Sequence, residues 1–553
     1  MIDLHVHSNR SDGSFSPKEL VDYAIKKGLS AFALTDHDTV DGLEEAMRYA
    51  EELRKTQGTH MIPEVIPGIE LSTEYEGRDV HILGLSIDYQ NPAFCAYLKD
   101  FVASRNARNE KMCSLLAGAG ISISYAALQE EFPDAVITRA HYAKYLLNHG
   151  YVKSMNEAFE RYIGDRCPYF VPREKVTPEM AVELILNAGG IPILAHPILY
   201  HMSDARLDTL VARLKAIGLI GIEAIYSTYH PAEERQIRKL ADKYRLRISG
   251  GSDFHGANKP GLDLGNGYGK LYVPDEVWTN LQKCQKNLLF TDLDGTLLNN
   301  AGVISPAMRD ALTRMINDGH QLILSSGRPL PSMLEVQKTA GLTFPNMLMS
   351  ANNGALVYDC DNDKPILEYM VSGSDAAYIV NKAKAAGLHI HGYTAKEILC
   401  TEDNAEVRYY TSRVRLPIQF VEDLPAALSG GTYKLLIICL DDRARLEAFR
   451  DDLLKNSDLS DRLQLVFSNS KYLEILSKDA GKGNALQFVT DYLGVLRTHT
   501  YAAGDEENDI SMLRAAHVGI AMANAIDKVK DAADVVTKKS NDEDGLLEIV
   551  EGF

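Results

Sequence analysis

The sequence predicts an α/β protein made of two successive strand–helix series, the first closing toward a barrel. Three observations carry this expectation. Short apolar runs of β type alternate with helix-period segments from residue 1 to about 283. A second series of the same kind begins at Leu288-Leu289-Phe290-Thr291 and continues to the C-terminus. In both series the residues able to do chemistry stand at the tips of the apolar runs, where α/β folds build their sites.

In the first series the runs are Ile2–His7, Ala31–Thr35, Val65–Leu71, Asp79–Leu85, Ile191–Ala195, Gly221–Ile225 and Arg247–Gly251. Several intervening helices start with a cap followed by proline, as in Ser16-Pro17-Lys18-Glu19 and Thr177-Pro178-Glu179. Repeated β–α alternation implies parallel strands, and seven such runs favour a barrel over an open sheet. Residues 97–168 break the rhythm, being helical with no convincing strand, and are expected to form an inserted helical subdomain. The first domain is thus expected over 1–283 and the second over 287–553, the latter interrupted by a mixed α/β stretch at 372–478. No Gly/Ser-rich or Pro-rich linker separates them, and no internal repeat is visible.

The bulk composition narrows the function classes. A chain of 553 residues, 45% hydrophobic and 24% charged, is ordinary globular material. A prior of ~150 residues per domain allows about three or four packing units. No apolar run approaches the ~18 residues of a membrane span. Ile2–His7 reads as a strand with chemistry at its end, so no cleaved signal is expected. The seven cysteines are scattered with no C-x-x-C pair, which suits a reducing, cytoplasmic setting and argues against a thiolate metal site. The net charge of −18 provides no basic footprint, so no DNA-binding module is expected. An anionic substrate must be drawn in by local cations. Oligomeric state is not legible.

The first candidate site gathers six of the sixteen histidines with three carboxylates. His5 and His7 alternate on one strand and share a face. Asp12 follows in Ser11-Asp12-Gly13, His37 stands in Thr35-Asp36-His37-Asp38, and Glu70 ends Pro67-Gly68-Ile69-Glu70. His81 lies in Asp79-Val80-His81, His196 in Ala195-His196-Pro197, and Asp253 and His255 in Ser252-Asp253-Phe254-His255. Imidazoles with a few carboxylates suit borderline divalent metals such as zinc, manganese or iron. Three divalent ions against three carboxylates leave a positive surplus matched to a phosphate dianion. Asp36 and Asp38 are read either as partners orienting His37 or as turn caps.

These segments resemble the motifs of the PHP (polymerase and histidinol phosphatase) superfamily, over the whole of residues 1–280. The resemblance implies a distorted (β/α)7 barrel and three metals. One would be held by His5, His7, Glu70 and Asp253, a second by Glu70, His81 and His196, and a third by Asp12, His37 and His255. The helical insertion and Ile137-Thr138-Arg139-Ala140-His141 resemble the branch that removes the 3′ phosphate from nucleoside 3′,5′-bisphosphates, some members of which trim short RNAs from the 5′ end. That branch implies Arg139, His141 and Lys259 as phosphate contacts, and a guanidinium at Arg139 is apt for bidentate pairing. A histidinol-phosphate-type phosphatase is the alternative. The residues name no general acid for the leaving group.

The second candidate site opens with Asp292-Leu293-Asp294-Gly295-Thr296 at a strand tip. Ser326 and Arg328 follow in Ser325-Ser326-Gly327-Arg328, then Asn353-Gly354, Lys482-Gly483, and Gly504-Asp505-Glu506-Glu507-Asn508-Asp509. Four aspartates at sheet termini would repel one another without cations, and a Mg²⁺ with a lysine ammonium resolves the conflict. In order and spacing these pieces resemble the HAD (haloacid dehalogenase-like) phosphatases over residues 287–553. The resemblance implies a Rossmann-like core in which Asp292 attacks phosphorus and Asp294 serves as acid and base. Ser326 and Lys482 would hold phosphoryl oxygens. Asp292, Asp294 (through its backbone carbonyl), Asp505 and Asp509 would surround Mg²⁺, with Asn508, Asn353 and Arg328 near the substrate. The stretch at 372–478 resembles the α/β (C2-type) cap of the Cof-like subgroup, which implies small phosphorylated metabolites such as sugar phosphates. A chain in which one half has become a non-catalytic binding module is the further alternative.

Overall fold

Ile2-Asp3-Leu4-His5-Val6 and the other apolar runs of the first series form strands because their side chains are buried on both faces, the condition of a sheet covered by helices. The computed structural model describes residues 1–57, 62–133, 135–164, 167–171, 176–412 and 416–553. The chain divides into two compact units, Met1–Cys284 and Gln285–Phe553.

The first unit holds a seven-stranded sheet in sequential order: β1 (Ile2–Val6), β2 (Ala31–Leu34), β3 (Glu64–Tyr75), β4 (Arg78–Leu85), β5 (Ile191–Leu194), β6 (Gly221–Tyr226) and β7 (Arg247–Gly251). It nearly closes, since Asp253 N donates to His5 O (2.9 Å) and His7 N to Phe254 O (2.9 Å). One expectation is corrected: the strands are not all parallel. β4 runs antiparallel to both β3 and β5. A parallel return needs a crossover of a dozen or more residues, whereas only Glu76-Gly77 separate β3 from β4. Both adopt left-handed backbone (φ 50° and 73°), the geometry of a two-residue hairpin turn. Because β4 is reversed, its N-terminal end, with His81, lies on the rim that the other strands reach with their C-terminal ends.

Helices at Pro92–Gly118, Tyr125–Glu131, Arg139–Asn148 and Met155–Ala158, with a π turn at Phe159–Ile163, fill the stretch read as an insertion. The first begins at Pro92 because Asn91 Oδ1 caps the amides of Ala93 and Phe94, each at 3.0 Å. Positions 134, 165 and 166 of that stretch lie outside the described residues. The helices have a core of their own, with Met112, Leu116, Leu128, Tyr142, Leu146 and Ile163 buried.

In the second unit the eight-stranded sheet runs β12-β11-β10-β9-β8-β19-β20-β21. Here β8 is Leu288–Thr291, β9 Gln321–Ser325, β10 Leu348–Ala351, β11 Leu356–Asp359, β12 Lys364–Glu368, β19 Thr500–Gly504, β20 Val518–Ala521 and β21 Val535–Val536. The central strands β10, β9, β8, β19 and β20 are parallel, so the tips of β8, β9 and β19 share one edge. Between β12 and the helix Lys482–Leu493 the chain builds a second sheet, β15-β14-β13-β16-β18-β17. Its strands are β13 (His389–Tyr393), β14 (Ile398–Cys400), β15 (Ile418–Phe420), β16 (Leu435–Ile438), β17 (Leu463–Asn469) and β18 (Tyr472–Ser477). No helix among the described residues is long and apolar enough to cross a membrane.

Gly251 shows how closely the barrel seam is drawn. A Cβ there would stand 2.4 Å from His5 Cβ and 2.6 Å from His5 N. Gly251→Ala is expected to push β7 off β1 at a cost of about 1–3 kcal/mol. The measurements are chemical denaturation together with divalent-metal binding by calorimetry; a variant with native stability and native metal affinity would contradict this packing account.

Candidate functional site

In the first unit five imidazoles surround one carboxylate. Glu70, 1% exposed, has His5 Nε2 at 3.3 Å, His7 Nε2 at 3.2 Å and His37 Nδ1 at 3.2 Å from one oxygen. Its other oxygen faces His81 Nδ1 at 2.8 Å and His196 Nε2 at 3.1 Å. Asp253 Oδ1 lies 3.4 Å from His7 Nε2 and 3.6 Å from His5 Nε2. Asp12 lies 3.1 Å from His255 Nε2 and 3.8 Å from both His37 and His7. All nine ligand-type residues read from the sequence are therefore brought to one place.

Burial drives the Glu70 carboxyl upward, but His37, His5 and His81 outweigh it and hold it well below the usual carboxylate range. Burial lowers His37 to about 3, whereas hydrogen bonds to Asp253 and Glu70 overcome burial at His7 and raise it to about 9. Donor atoms of four overlapping sets lie within 4.8 Å of one another: His7/Asp12/His37/His255, His5/His7/Asp253, His5/Glu70/His196 and His37/Glu70/His81. Within this cluster His5 Nε2, Asp12 Oδ1 and His196 Nδ1 are buried without a hydrogen-bond partner. Buried polar atoms are nearly always satisfied, so converging lone pairs of this kind fit a site for divalent cations. His196 (φ 25°) and Asp253 (φ 59°) are also held in left-handed backbone, which costs a non-glycine residue about 1–3 kcal/mol and persists where function requires it.

The residues that fix this cluster were largely missed in the sequence. Glu223, fully buried on β6, stands 3.2 Å from His5 Nδ1 and accepts from His196 N at 2.8 Å. It thereby sets which His5 nitrogen faces the cluster. Tyr226 OH donates to Asp253 Oδ2 at 2.6 Å. Asp3 accepts from Ser252 N (2.8 Å) and Gly265 N (2.8 Å), tying β1 to the segment after β7. An acid inside an apolar strand run, as in Gly221-Ile222-Glu223-Ala224-Ile225, was the signal available. Asp38 bears on His37 at one remove, through Ser72, and Asp36 holds the segment after β1. Asp36 accepts from Ser8 and Ser11. Asp38 accepts from Ser72 N at 2.9 Å and pairs with Arg105, while Ser72 Oγ lies 3.4 Å from His37 Nδ1.

A cavity of about 400 Å³ opens over the cluster, walled in part by Arg105, Arg108, Arg139, Asn258 and Lys259. Arg139 pairs with Asp79 (2.6 Å) and stacks 5.3 Å over the Phe170 ring. Lys259 Nζ is 2.5 Å from Asp253 Oδ2. His141 is not among the described residues that line this cavity. It is buried as the third residue of its helix, where Nδ1 accepts from Thr138 N at 2.9 Å, and burial lowers it to about 4. Thr138 reaches the cluster, donating to Asp12 Oδ2 at 3.0 Å. Arg105 and Arg108, which the sequence reading passed over, lie one turn apart on Pro92–Gly118 and are 3% and 5% exposed.

The second unit brings Asp292, Asp505 and Asp509 together, with carboxylate oxygens within 4.8 Å. Lys482, at the start of its helix and fully buried, donates to Asp292 Oδ1 and Asp509 Oδ1, both at 2.6 Å. Burial pushes Asp292 up to about 7 against the pull of Lys482, and pushes Asp505 up to about 6. One ammonium among three crowded carboxylates leaves negative charge, which fits an oxygen-ligated cation. Asp509 is less available than its neighbours, since its second oxygen accepts from the amides of Asp505 and Glu506, both at 3.0 Å. The Asp294 side chain turns away from this group into a bidentate pair with Arg328, both contacts at 2.6 Å. Ser326 is buried with its Oγ accepting from Arg328 N (3.2 Å), and Asn508 Nδ2 donates to Asn353 Oδ1 (2.9 Å). Asp292, Asp294, Ser326, Arg328, Asn353 and Asn508 all line one cavity.

Comparison with known proteins agrees with this division. Residues 3–165 match the family model of the PHP domain, and residues 289–550 that of the haloacid dehalogenase-like hydrolases. A 5′-3′ exoribonuclease of Haemophilus influenzae is 38% identical over 253 residues, covering 46% of this chain and 89% of that protein. A 3′,5′-nucleoside bisphosphate phosphatase of Chromobacterium violaceum is 33% identical over 282 residues, covering 51% and 96%. A solved haloacid dehalogenase-like hydrolase from Bacteroides thetaiotaomicron, 27% identical, covers 48% of this chain and 99% of its own, with a TM-score of 0.45. The chain is therefore a hydrolase of the phosphatase class that belongs to the PHP superfamily through its first half and carries a haloacid dehalogenase-like hydrolase domain in its second.

Proposed function

We propose that the chain is a bifunctional phosphoesterase. Its first unit releases phosphate from nucleoside 3′,5′-bisphosphates or trims short RNA 5′ ends at a three-metal centre, and its second hydrolyses small phosphate monoesters through an aspartyl-phosphate. The observation that carries the first half is the set of imidazoles around Glu70 beneath a wall bearing Arg105, Arg108 and Arg139. Manganese, zinc or iron suits this donor set. Bound divalent cations would supply a water of lowered pKa and neutralise the phosphoryl oxygens. His5, His7, Glu70 and Asp253, then His81 and His196 with Glu70, then Asp12, His37 and His255 would hold the three positions, with Glu223 keeping His5 in the ligating tautomer. A substrate with two phosphates needs more cationic wall than a histidinol-phosphate-type one, which is why Arg139 and the two buried arginines favour the bisphosphate reading.

In the second unit Asp292 attacks phosphorus while Asp294 protonates the leaving oxygen as the ester bond breaks. Asp294 then takes a proton from the water that cleaves the acyl phosphate. For this it must leave Arg328, its partner in the structure described. Lys482 and Ser326 hold phosphoryl oxygens, and Asp292, Asp505 and the Asp294 carbonyl would hold Mg²⁺, with Asp509 fixing Lys482.

Three outcomes are expected. His7→Ala removes phosphate release from a 3′,5′-bisphosphate and spares that from a sugar phosphate, while Asp292→Asn does the reverse; if either variant loses both activities, two independent sites are ruled out. Glu223→Gln weakens metal binding to the first unit by roughly 10–100-fold, read by competition with a chelating dye. His7, whose pKa is raised to about 9, is protonated at neutral pH in the metal-free protein, so loading releases protons and affinity rises with pH up to that value. Calorimetry in two buffers of different ionisation enthalpy measures this, and identical heats would contradict it.

A further inference from the structure

The cavity holding Asp292 and Asp294 has a volume of about 870 Å³, and Tyr410, Lys434, Tyr472 and Glu474 of the inserted region complete its wall. Two of these form a buried ion pair. Lys434 is 4% and Glu474 8% exposed, with Lys434 Nζ 3.2 Å from Glu474 Oε2 and 4.8 Å from the centre of the Tyr393 ring. Arg328, the other cation among the described lining residues, is paired with both oxygens of Asp294. Glu335 and Glu506 add further negative charge to the wall.

A second anionic group on the leaving alcohol that reaches this part of the wall would meet, among the described residues, a cation already paired with Glu474. It would have to displace Glu474 from Lys434 in a desolvated place where removing one partner is costly. A hydroxyl pays no such penalty, since it can accept from the ammonium and donate to the free side of the carboxylate together. The rings of Tyr410 and Tyr472 offer apolar faces for a C–H-rich skeleton.

We propose that Glu474, by occupying Lys434, selects phosphate monoesters whose leaving alcohol is uncharged and hydroxyl-bearing and rejects those with a second anionic group. The inference rests on the Asp292-centred phosphatase reading and assigns Glu474 to specificity, as a repulsive element against the wrong substrate.

The test compares glucose 6-phosphate with 6-phosphogluconate, which bears a carboxylate at the opposite end, using the full chain with Mg²⁺ and subtracting any rate that persists in Asp292→Asn. Para-nitrophenyl phosphate reports the Asp292 chemistry independently. The native protein is expected to favour glucose 6-phosphate by about tenfold or more in kcat/KM. Glu474→Gln, which keeps the shape of the side chain, should shrink that ratio by about tenfold, chiefly by lowering KM for 6-phosphogluconate. Adding Lys434→Met to Glu474→Gln should remove the gain. An equal or reversed native preference overturns the proposal even if the variants fail to fold, as does a ratio unmoved by Glu474→Gln. Asp292-dependent turnover of para-nitrophenyl phosphate with neither sugar compound accepted would overturn the selection and leave the phosphatase reading standing. Absence of any Asp292-dependent turnover would overturn both.

Discussion

The carboxylate of Glu70 is the constraint around which the first unit is arranged. It is buried, it faces imidazoles from β1, β4 and the segments after β2 and β5, and each of those must arrive within about hydrogen-bonding reach. A lone buried carboxylate is among the costliest groups to desolvate. Here the cost is offset by charge sharing with the rings, and the same arrangement leaves lone pairs aimed inward with no hydrogen to meet them. The barrel seam, the left-handed backbone at His196 and Asp253, and the buried acids Asp3 and Glu223 all hold the ligating groups at these separations.

The reversal of β4 belongs to the same requirement. A short hairpin at Glu76-Gly77 presents the start of β4 at the rim, so Ser72 and His81 pair directly across two adjacent strands. The helix Pro92–Gly118 follows β4, and its Arg105 and Arg108 line the cavity over the cluster. The insertion thus serves the site twice. It closes the cavity, and through Arg105, Asp38 and Ser72 it reaches the position of His37.

Charge compensation takes another form in the second unit. Lys482 sits between Asp292 and Asp509, and Asp509 is in turn held by backbone amides of the loop that carries Asp505. One fixed ammonium therefore joins the two acidic loops, while burial and the neighbouring carboxylates raise Asp292 and Asp505, a charge balance that suits a further cation. The inserted sheet adds its own compensated pair, Lys434 with Glu474, to the cavity wall.

What the sequence determined by itself was local. Strand tips, proline-led helix starts and the order of His, Asp, Ser and Lys motifs are written in consecutive residues, and so the two α/β series and the nine ligand-type residues could be read directly. Period and spacing also marked the insertions. Strand direction at β4 was legible in principle, since the gap after β3 is too short for a crossover, but alternation alone masked it. The tertiary structure decided everything that depends on residues far apart in the chain meeting. Glu223 beside His5, Asp38 with Arg105, His141 turned to cap its own helix, Arg328 on Asp294 and Lys434 on Glu474 are pairings set by packing. A residue's type shows what it can bind; only its distance and burial in the fold determine what it does bind.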